Sequence, residues 1–554
     1  MSPSVRRWNA WGFEGVGYPV PAAAKAWLTA RLGAGEPLPA IAEQDVAIPP
    51  PRPLPPLPAS LATDAATRLR NACGQSFPDV VALRTGAIAA FPDAVVFPES
   101  AEQVVEVLRA ARDNGLAVVV RGGGTSVVGG VTVGGGDRPT VVLSLDRLSG
   151  LVALDEVSHL ARFRAGTYGP DVEAALGLRA FRLGHEPQSF ELSTVGGWVA
   201  TRSAGQRSTG VGKIEELVAG VAVATAGGVW RLPDQPSSAA GPELRRLVIG
   251  SEGRLGVITD ATLRVRPQPA HEVGQAVLLR AWSEGLATCR SLVQGGVPVE
   301  VLRLSDPDES SFAAALLHLP AVAGRVFRAV LGMERYRAGC MLLLGWAGDR
   351  GEVRAARSAA HRRWRARGGL SLGSRGFRSW KRDRFHHPYL RDSLLTAGWG
   401  IDTLETAAPW SALPVLHERV RQAIAAAAAR AGFRVAVLCH LSHSYPDGAS
   451  LYFTFMWPLA RDRVLDQWAA LKHAATEALL VGGGTLTHHH GVGTMHAPYL
   501  EREIGGRGVA LLRAVASTAD PDATLNPGIL LSELRVASAS PEPRAPSPGG
   551  REAG

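Results

Sequence analysis

The sequence predicts a mixed fold of helices and strands, α+β or α/β, on three observations. Segments with helical spacing of apolar residues alternate along the chain with strand-like runs. One strand–helix–strand unit opens directly onto a glycine-rich loop, "GGGTSVVGG" (122–130). Two further glycine clusters follow, and the last of them feeds a strand.

Residues 1–75 read as irregular, with two tryptophans in "RWNAWG" (7–12) and a proline run at 49–58. That run is expected to be extended polyproline II, a spacer or strap. "AVVFP" (94–98) reads as a short buried strand. Ser100 and Gln103 have the spacing of a capping box, and Val104, Val107, Leu108 and Ala111 repeat at helical spacing behind them. Asn114-Gly115 ends that helix and "LAVVVR" (116–121) is the next strand. "GVITDATLRVRP" (256–267) alternates as a half-exposed strand does, and "LYFTFMW" (451–457) reads as another. The alanine stretch "VRQAIAAAAARAG" (420–432) is a predicted helix. Residues 533–554 carry little that can pack and are expected to be disordered.

A chain of 554 residues, 46% hydrophobic and 20% charged, has the composition of a soluble globular protein and the length to bury a core. No apolar run approaches the ~18–20 residues that span a bilayer, and the N-terminus lacks an apolar signal region. The last residues, Glu552-Ala553-Gly554, are not an S-K-L type address. The expected location is cytoplasmic, at most peripheral to a membrane. Cys73, Cys289, Cys340 and Cys439 lie far apart, which suits a reducing compartment and argues against a disulfide framework or a thiolate zinc site. The net charge of +9 fits either an anionic partner or solvated helix faces. No nucleic-acid-binding motif accompanies it, so no nucleic-acid partner is expected. The arginine-rich segment 354–384, with Trp364 and Trp380, reads either as a surface grazing anionic headgroups or as a solvated helix.

Glycines after a strand let backbone N–H groups converge on a phosphate. "RGGGTSV" lacks the spacing and lysine of a Walker A loop and is not G-x-G-x-x-G. Taken alone it is also compatible with a plain turn. With "GHEPQSFELSTVGGWVATRSAG" (184–205) and "GSEGRLGVITDATLRVRP" (250–267), in that order, it resembles the FAD-binding domain of the vanillyl-alcohol oxidase/p-cresol methylhydroxylase superfamily. That resemblance implies an α+β protein. A two-subdomain FAD-binding domain (88–268) would follow an N-terminal irregular or helical segment (1–87). A substrate (cap) domain with an antiparallel sheet (269–486) would come next, then a segment returning to the active site (487–532).

The resemblance also implies FAD contacts in three loops. The first, Val120, Arg121, Gly122, Gly123, Gly124, Thr125 and Ser126, would hold the pyrophosphate. The second starts with Pro187, Gln188, Ser189, Phe190, Glu191 and Leu192. It continues through Ser193, Thr194, Gly196, Gly197, Thr201, Arg202, Ser203 and Ala204. The third is Glu252, Gly253, Arg254, Leu255, Gly256, Val257 and Ile258. Covalently flavinylated members often carry a histidine where Thr125 stands, so noncovalent FAD is implied.

Within that superfamily the chain is similar to the alkyldihydroxyacetonephosphate synthase family almost end to end. The markers are "RWNAWG", "GKIEELV" (212–218), "YLRD" (389–392), "LETAAPW" (404–410), "YPDGASLYFTF" (445–455) and "THHHGVG" (487–493). Three stretches depart from the family pattern: "NPGILL" (526–531), the basic run "FRSWKRDRFHH" (377–387) and "LYFTF". The resemblance implies a homodimer and a redox-neutral exchange, in which the acyloxy group of acyl-dihydroxyacetone phosphate is replaced by a fatty alcohol. Tyr452 matches the family's catalytic tyrosine, and Arg391 its substrate-binding arginine.

A phenol titrates near ~10, so Tyr452 needs tuning to act near neutrality, and the histidines at 488–490 are the expected tuners. On an extended segment His488 and His490 would face the flavin together and His489 the opposite side. Zinc would require a further convergent ligand, and none is evident, so no metal is expected. His440 and Asp447 are weaker candidates for polar contacts. Two other functions stay open: an FAD-dependent 2-hydroxy-acid dehydrogenase, and a flavin-binding protein without catalysis. The first is disfavoured because "HLSHSYPDGASLYF" lacks the H-x-G-D-G-N-x-H spacing of those enzymes.

Overall fold

A computed structural model describes residues 5–316 and 334–532. The tail expected to be disordered lies outside them. Four sheets organise the described chain, and the two largest cores sit in separate layers.

The first sheet carries the strand–helix–strand unit. Ala94–Phe97, Thr140–Ser144 and Ala117–Arg121 pair in parallel, as strands joined by helical crossovers do. The helix Ala101–Asp113 turns Val104, Val107, Leu108 and Ala111 inward, as its periodicity predicts. The cap differs from expectation. Ser100 accepts from the Gln103 N–H, but the Gln103 side chain accepts from Glu99 N–H, one residue before the box position. Ser60–Ala62 adds an antiparallel edge strand, and Leu54 and Leu57 of the proline run pack on the core beneath, so that run is a strap. The N-terminal stretch is more regular than predicted, with a helix at Ala22–Leu32 and another at Ala65–Arg70.

The second sheet is antiparallel: Leu151–Asp155, Leu160–Arg164, Val257–Arg264, Val218–Thr225 and Gly228–Leu232, in that spatial order. Val257–Arg264 is central and buried at most positions, not half-exposed. The short helix Val195–Ala200 covers it and removes the solvent side that alternation suggests.

The seven-stranded antiparallel sheet carries the chemistry. Its order is Leu370–Gly373, His271–Leu279, Cys340–Gly348, Val301–Ser305, Ala436–Ser444, Gly448–Pro458 and Trp399–Pro409. The period of two sorts its faces. Leu302, Leu304, Cys439, Leu441, Phe453 and Phe455 point into a core shared with four helices, Trp282–Gln294, Arg350–Arg365, Leu413–Arg430 and Val464–Val481. The residues between them face the glycine loops. In register, Ser305, His440, Tyr452 and Glu405 form one row across four strands.

Trp364 corrects one reading of the arginine-rich segment. It lies on the buried face of its helix with Val353, Ala356 and Ala360, so it is a core residue and cannot graze headgroups. Trp380 packs beside Phe377 and lines the central cavity. No helix among the described residues is long and apolar enough to cross a membrane.

Candidate active site

The first and second glycine loops touch so closely that side chains are excluded. A Cβ on Gly123 would stand 1.8 Å from the Leu192 carbonyl oxygen, and one on Gly122 2.3 Å from Thr194 Oγ1. Gly253, in the third loop, has φ +78° and lies against Asn526. Asn526 ties the parts together, accepting from Val120 N–H (2.8 Å) and donating to the Glu252 carbonyl (2.6 Å). The N-terminal "RWNAWG" closes the other side. Arg6 donates to the Gly123 carbonyl (2.7 Å), and the Trp11 N–H donates to Asp392 (2.9 Å) in "YLRD". Gly12 is required there, because a Cβ would meet the Tyr389 ring at 2.1 Å.

These loops form one wall of a cavity of about 540 Å³. Gly122 to Ser126, Thr194, Gly196, Gly197 and Gly253 line it, with Val120, Thr201, Ser203, Ala204, Glu252 and Ile258. Pro187, Gln188, Ser189, Ser193 and Gly256 line it as well. Arg121, Phe190, Glu191, Leu192, Arg202, Arg254, Leu255 and Val257 stand behind or beside this wall. Arg121 donates to the Cys73 carbonyl, Arg202 pairs with Glu215, and Leu255 and Val257 are core. Bare backbone and small hydroxyl side chains along a cleft fit an extended phosphate-bearing cofactor such as FAD.

The opposite wall is the seven-stranded sheet. Tyr452 stacks on His440 with ring centroids 4.8 Å apart, lies 6.0 Å from His489 and presents its ring edge to His490 at 5.6 Å. Burial pushes the Tyr452 phenol up to about 12, against a hydrogen bond from Thr403 that lowers it, so the resting residue is protonated. His489 is lowered to about 3 and His490 is lowered as well, both by burial, so both are neutral. The resting site therefore does not lower Tyr452 toward neutrality as the sequence suggested. Arg303 and Glu309 bracket His440, each about one hydrogen bond away.

The histidine triplet does not alternate as an extended segment would. His489 and His490 line the cavity, and His488 turns away from it. The cause is a buried carboxylate that the sequence reading did not single out. Glu405 accepts from Thr487 Oγ1 (2.8 Å) and from the backbone N–H groups of His488, His489 (3.1 Å) and His490 (2.8 Å). Three successive N–H groups converging on one acceptor force a bend at each residue. Burial works against the Glu405 carboxylate, but the hydrogen bonds that converge on it hold it well below the ordinary range. A charged residue inside the apolar strand "TLETAAP" was the available signal. A second buried carboxylate, Glu252, accepts from Val492 (2.6 Å) and Gly493 (2.8 Å) and docks the same segment on the third glycine loop.

His488 turns outward to Tyr445, whose hydroxyl is 2.7 Å from Nε2, while its Nδ1 is 2.9 Å from His489 Nδ1. Ligand atoms of His443, His488 and His489 lie within 4.8 Å of one another, and so do those of Glu405, His489 and His490, so the structure brings to the triplet convergent groups that the sequence reading did not find.

Arg391 lines the cavity between the walls, half-buried, and donates to the Gln75 carbonyl (2.8 Å) and side chain. Among the described residues, its Nε has no partner. Asp447 does not reach the cavity; it is exposed at a hairpin tip. Phe312, Leu316, Met341, Leu343, Ile401 and Leu438 add an apolar patch to the lining, and Arg382, Asp383, Asp402 and Thr403 add polar groups.

Comparison with known proteins agrees with this architecture. Residues 92–232 match a model described as "FAD binding domain", and residues 268–530 one described as "FAD linked oxidases, C-terminal domain". An alkyldihydroxyacetonephosphate synthase of Trypanosoma brucei brucei is 30% identical over 478 residues, 84% of this chain and 78% of the relative. One of Dictyostelium discoideum is 28% identical over 486 residues, 86% of this chain and 80% of the relative. An uncharacterized FAD-linked oxidoreductase of Escherichia coli (strain K12) is 28% identical over 501 residues, 84% of this chain and 94% of the relative. A solved alkyldihydroxyacetonephosphate synthase superimposes with a TM-score of 0.83 at 24% identity, covering 94% of this chain and 98% of that one, which shows the shared fold.

Proposed function

The chain belongs to the alkyldihydroxyacetonephosphate synthase-like family of FAD-linked oxidases, and on that premise we propose that it is an FAD-dependent alkyl transferase. It exchanges the acyl group of acyl-dihydroxyacetone phosphate for a long-chain fatty alcohol, forming an ether bond without net redox. The observation that carries this reading is a single cavity combining four features: glycine loops, a phenol among imidazoles, a half-buried arginine and an apolar patch.

The Nε of Arg391, without a partner among the described residues, suits it to hold the substrate phosphate. Tyr452 takes the proton from the carbon beside the ketone. Because it rests protonated, the neutral imidazoles of His489 and His490 are the acceptors for its own proton. The row Phe312, Leu316, Met341 and Leu343 excludes water from the reacting carbon and accommodates the aliphatic chains. FAD, when bound, supplies an oxidised ring system that accepts electron density from the deprotonated carbon and returns it. Thr125 in the first loop favours noncovalent binding, and acid precipitation is then expected to release all yellow colour. Formation of alkyl-dihydroxyacetone phosphate from acyl-dihydroxyacetone phosphate and hexadecanol tests the transfer directly. A second reading, 2-hydroxy-acid dehydrogenation, draws on the same Arg391, because a guanidinium suits a carboxylate as well as a phosphate.

A further inference from the structure

The proposed exchange has an acid–base consequence. A fatty acid that leaves at neutral pH leaves as its carboxylate, and the incoming alcohol gives up its hydroxyl proton. Each turnover therefore releases one proton, and the groups that first receive it line the cavity rather than the outer surface.

We propose that His489, His488 and Tyr445 form a proton path from the cavity to the surface, a role that rests on the transfer reading above. His489 lines the cavity. Its Nδ1 is 2.9 Å from Nδ1 of His488, which leaves Nε2 as the nitrogen that serves the cavity. His488 is outside the cavity lining and reaches the Tyr445 hydroxyl at 2.7 Å through Nε2. Tyr445 is half-buried at the start of a hairpin turn whose next residues, Pro446 and Asp447, are exposed.

The hops balance. His489 Nε2 takes a proton from the cavity, and the proton on its Nδ1 passes to His488 Nδ1. The proton on His488 Nε2 passes to the Tyr445 oxygen, and the original Tyr445 proton leaves to water. No bond to carbon changes and no charge stays behind. Hops back along the same two hydrogen bonds would return the proton to the cavity, so the path resets by each imidazole turning about its side-chain torsions before the next outward relay. Neutral imidazoles, each with one N–H and one lone pair, are what such a relay requires. Burial keeps both rings neutral, and Lys213 beside them opposes a resident positive charge.

The geometry is fixed from several sides. Glu405 holds the backbone of His488 and His489, and Lys213 Nζ donates to the His488 carbonyl (2.8 Å). His443 stacks on His488 at 5.1 Å and meets His489 edge-on at 5.3 Å. Tyr445 N–H donates to the Gly448 carbonyl (2.8 Å), and its own carbonyl accepts from the Trp410 indole (3.0 Å). Glu215 and Glu216 are the acidic neighbours on the surface side.

Tyr445→Phe removes the hydroxyl and keeps the ring. In the holoenzyme, assayed for ether formation in dilute buffer, kcat is expected to fall about tenfold or more with KM and flavin content unchanged. Added imidazole is expected to restore it. His488→Ala is expected to behave likewise, with imidazole entering the vacated space. Wild-type turnover of Tyr445→Phe in dilute buffer, or a loss that imidazole restores in neither variant, overturns the path alone. A wild-type protein that forms no ether overturns the transfer reading and the path with it.

Discussion

Tyr452 sits in an enclosed row between His440 and His489, and burial holds its proton on. Replacing it with phenylalanine keeps both stacked contacts, so folding and flavin content are expected to survive. If its oxygen moves the proton, turnover should fall about a hundredfold or more, measurable as the initial rate of ether formation. Glu405 is a different kind of residue. It touches no cavity atom directly but sets the course of residues 487–490 through four hydrogen bonds. Glu405→Ala leaves buried N–H groups without an acceptor and is expected to cost about 3 kcal/mol or more of stability, read as a shift in the denaturation midpoint. Glu405→Gln keeps one acceptor oxygen and should lie between the two. Sequence pattern alone had placed His488 toward the flavin and His489 away. It failed because backbone course here is dictated by one distant carboxylate, and a rule of alternation holds only where a strand ladder fixes the chain.

At the scale of elements, the glycine loops and their flanking strands were legible, because the chemistry there is local. Close contact of two backbones demands glycine at Gly123, and the Thr194 side chain leaves no room for a Cβ at Gly122. Gly123→Ala would drive a methyl group to 1.8 Å from the Leu192 carbonyl, so the first and second loops must part. The expected result is protein recovered with little or no flavin, measured as the ratio of flavin to protein absorbance. Elements whose exposure depends on partners were misjudged. Val257–Arg264 alternates in sequence yet is mostly buried, because a helix from another segment lies over it. Trp364 sits among arginines in sequence yet packs inward, because the helix has one apolar stripe and the tryptophan is on it. The N-terminal segment, read as irregular, links the first glycine loop through Arg6 to the helix bearing Arg391 through Trp11.

For the whole molecule, burial of histidines sets a pH dependence of stability. His185 and His489 are lowered to about 3, and His387 and His496 to about 4, each first by burial. The unfolded chain protonates them near 6.5, so it binds more protons than the folded one below that pH. Their contribution is complete above about 6.5 and shrinks as pH falls, by up to about 1.4 kcal/mol per unit for each. Glu252, raised to about 7 by burial, works in the opposite direction, as do Glu173, Glu191 and Glu503, which burial also raises; but His440, His443, His488 and His490 are lowered too, so among the described residues eight histidines stand against four glutamates. The melting temperature is therefore expected to fall between pH 7 and pH 5, in a thermal denaturation series at constant ionic strength.

The two-layer architecture of FAD-binding and cap sheets was implied by the family resemblance that the motifs carry, and the family matches cover both layers. The resemblance implied that Tyr452, Arg391 and the histidines share a site; what the sequence did not show is the means, strand register and two buried carboxylates that bring the histidine segment to Tyr452. The most direct test of the account is an anaerobic flavin spectrum recorded while products are analysed. With acyl-dihydroxyacetone phosphate and hexadecanol, alkyl product should accumulate over many turnovers and the flavin should end oxidised. D-Lactate or glycolate should leave the spectrum unchanged. Bleaching of the flavin by either hydroxy acid, with no ether product from the lipid substrates, would contradict the central claim.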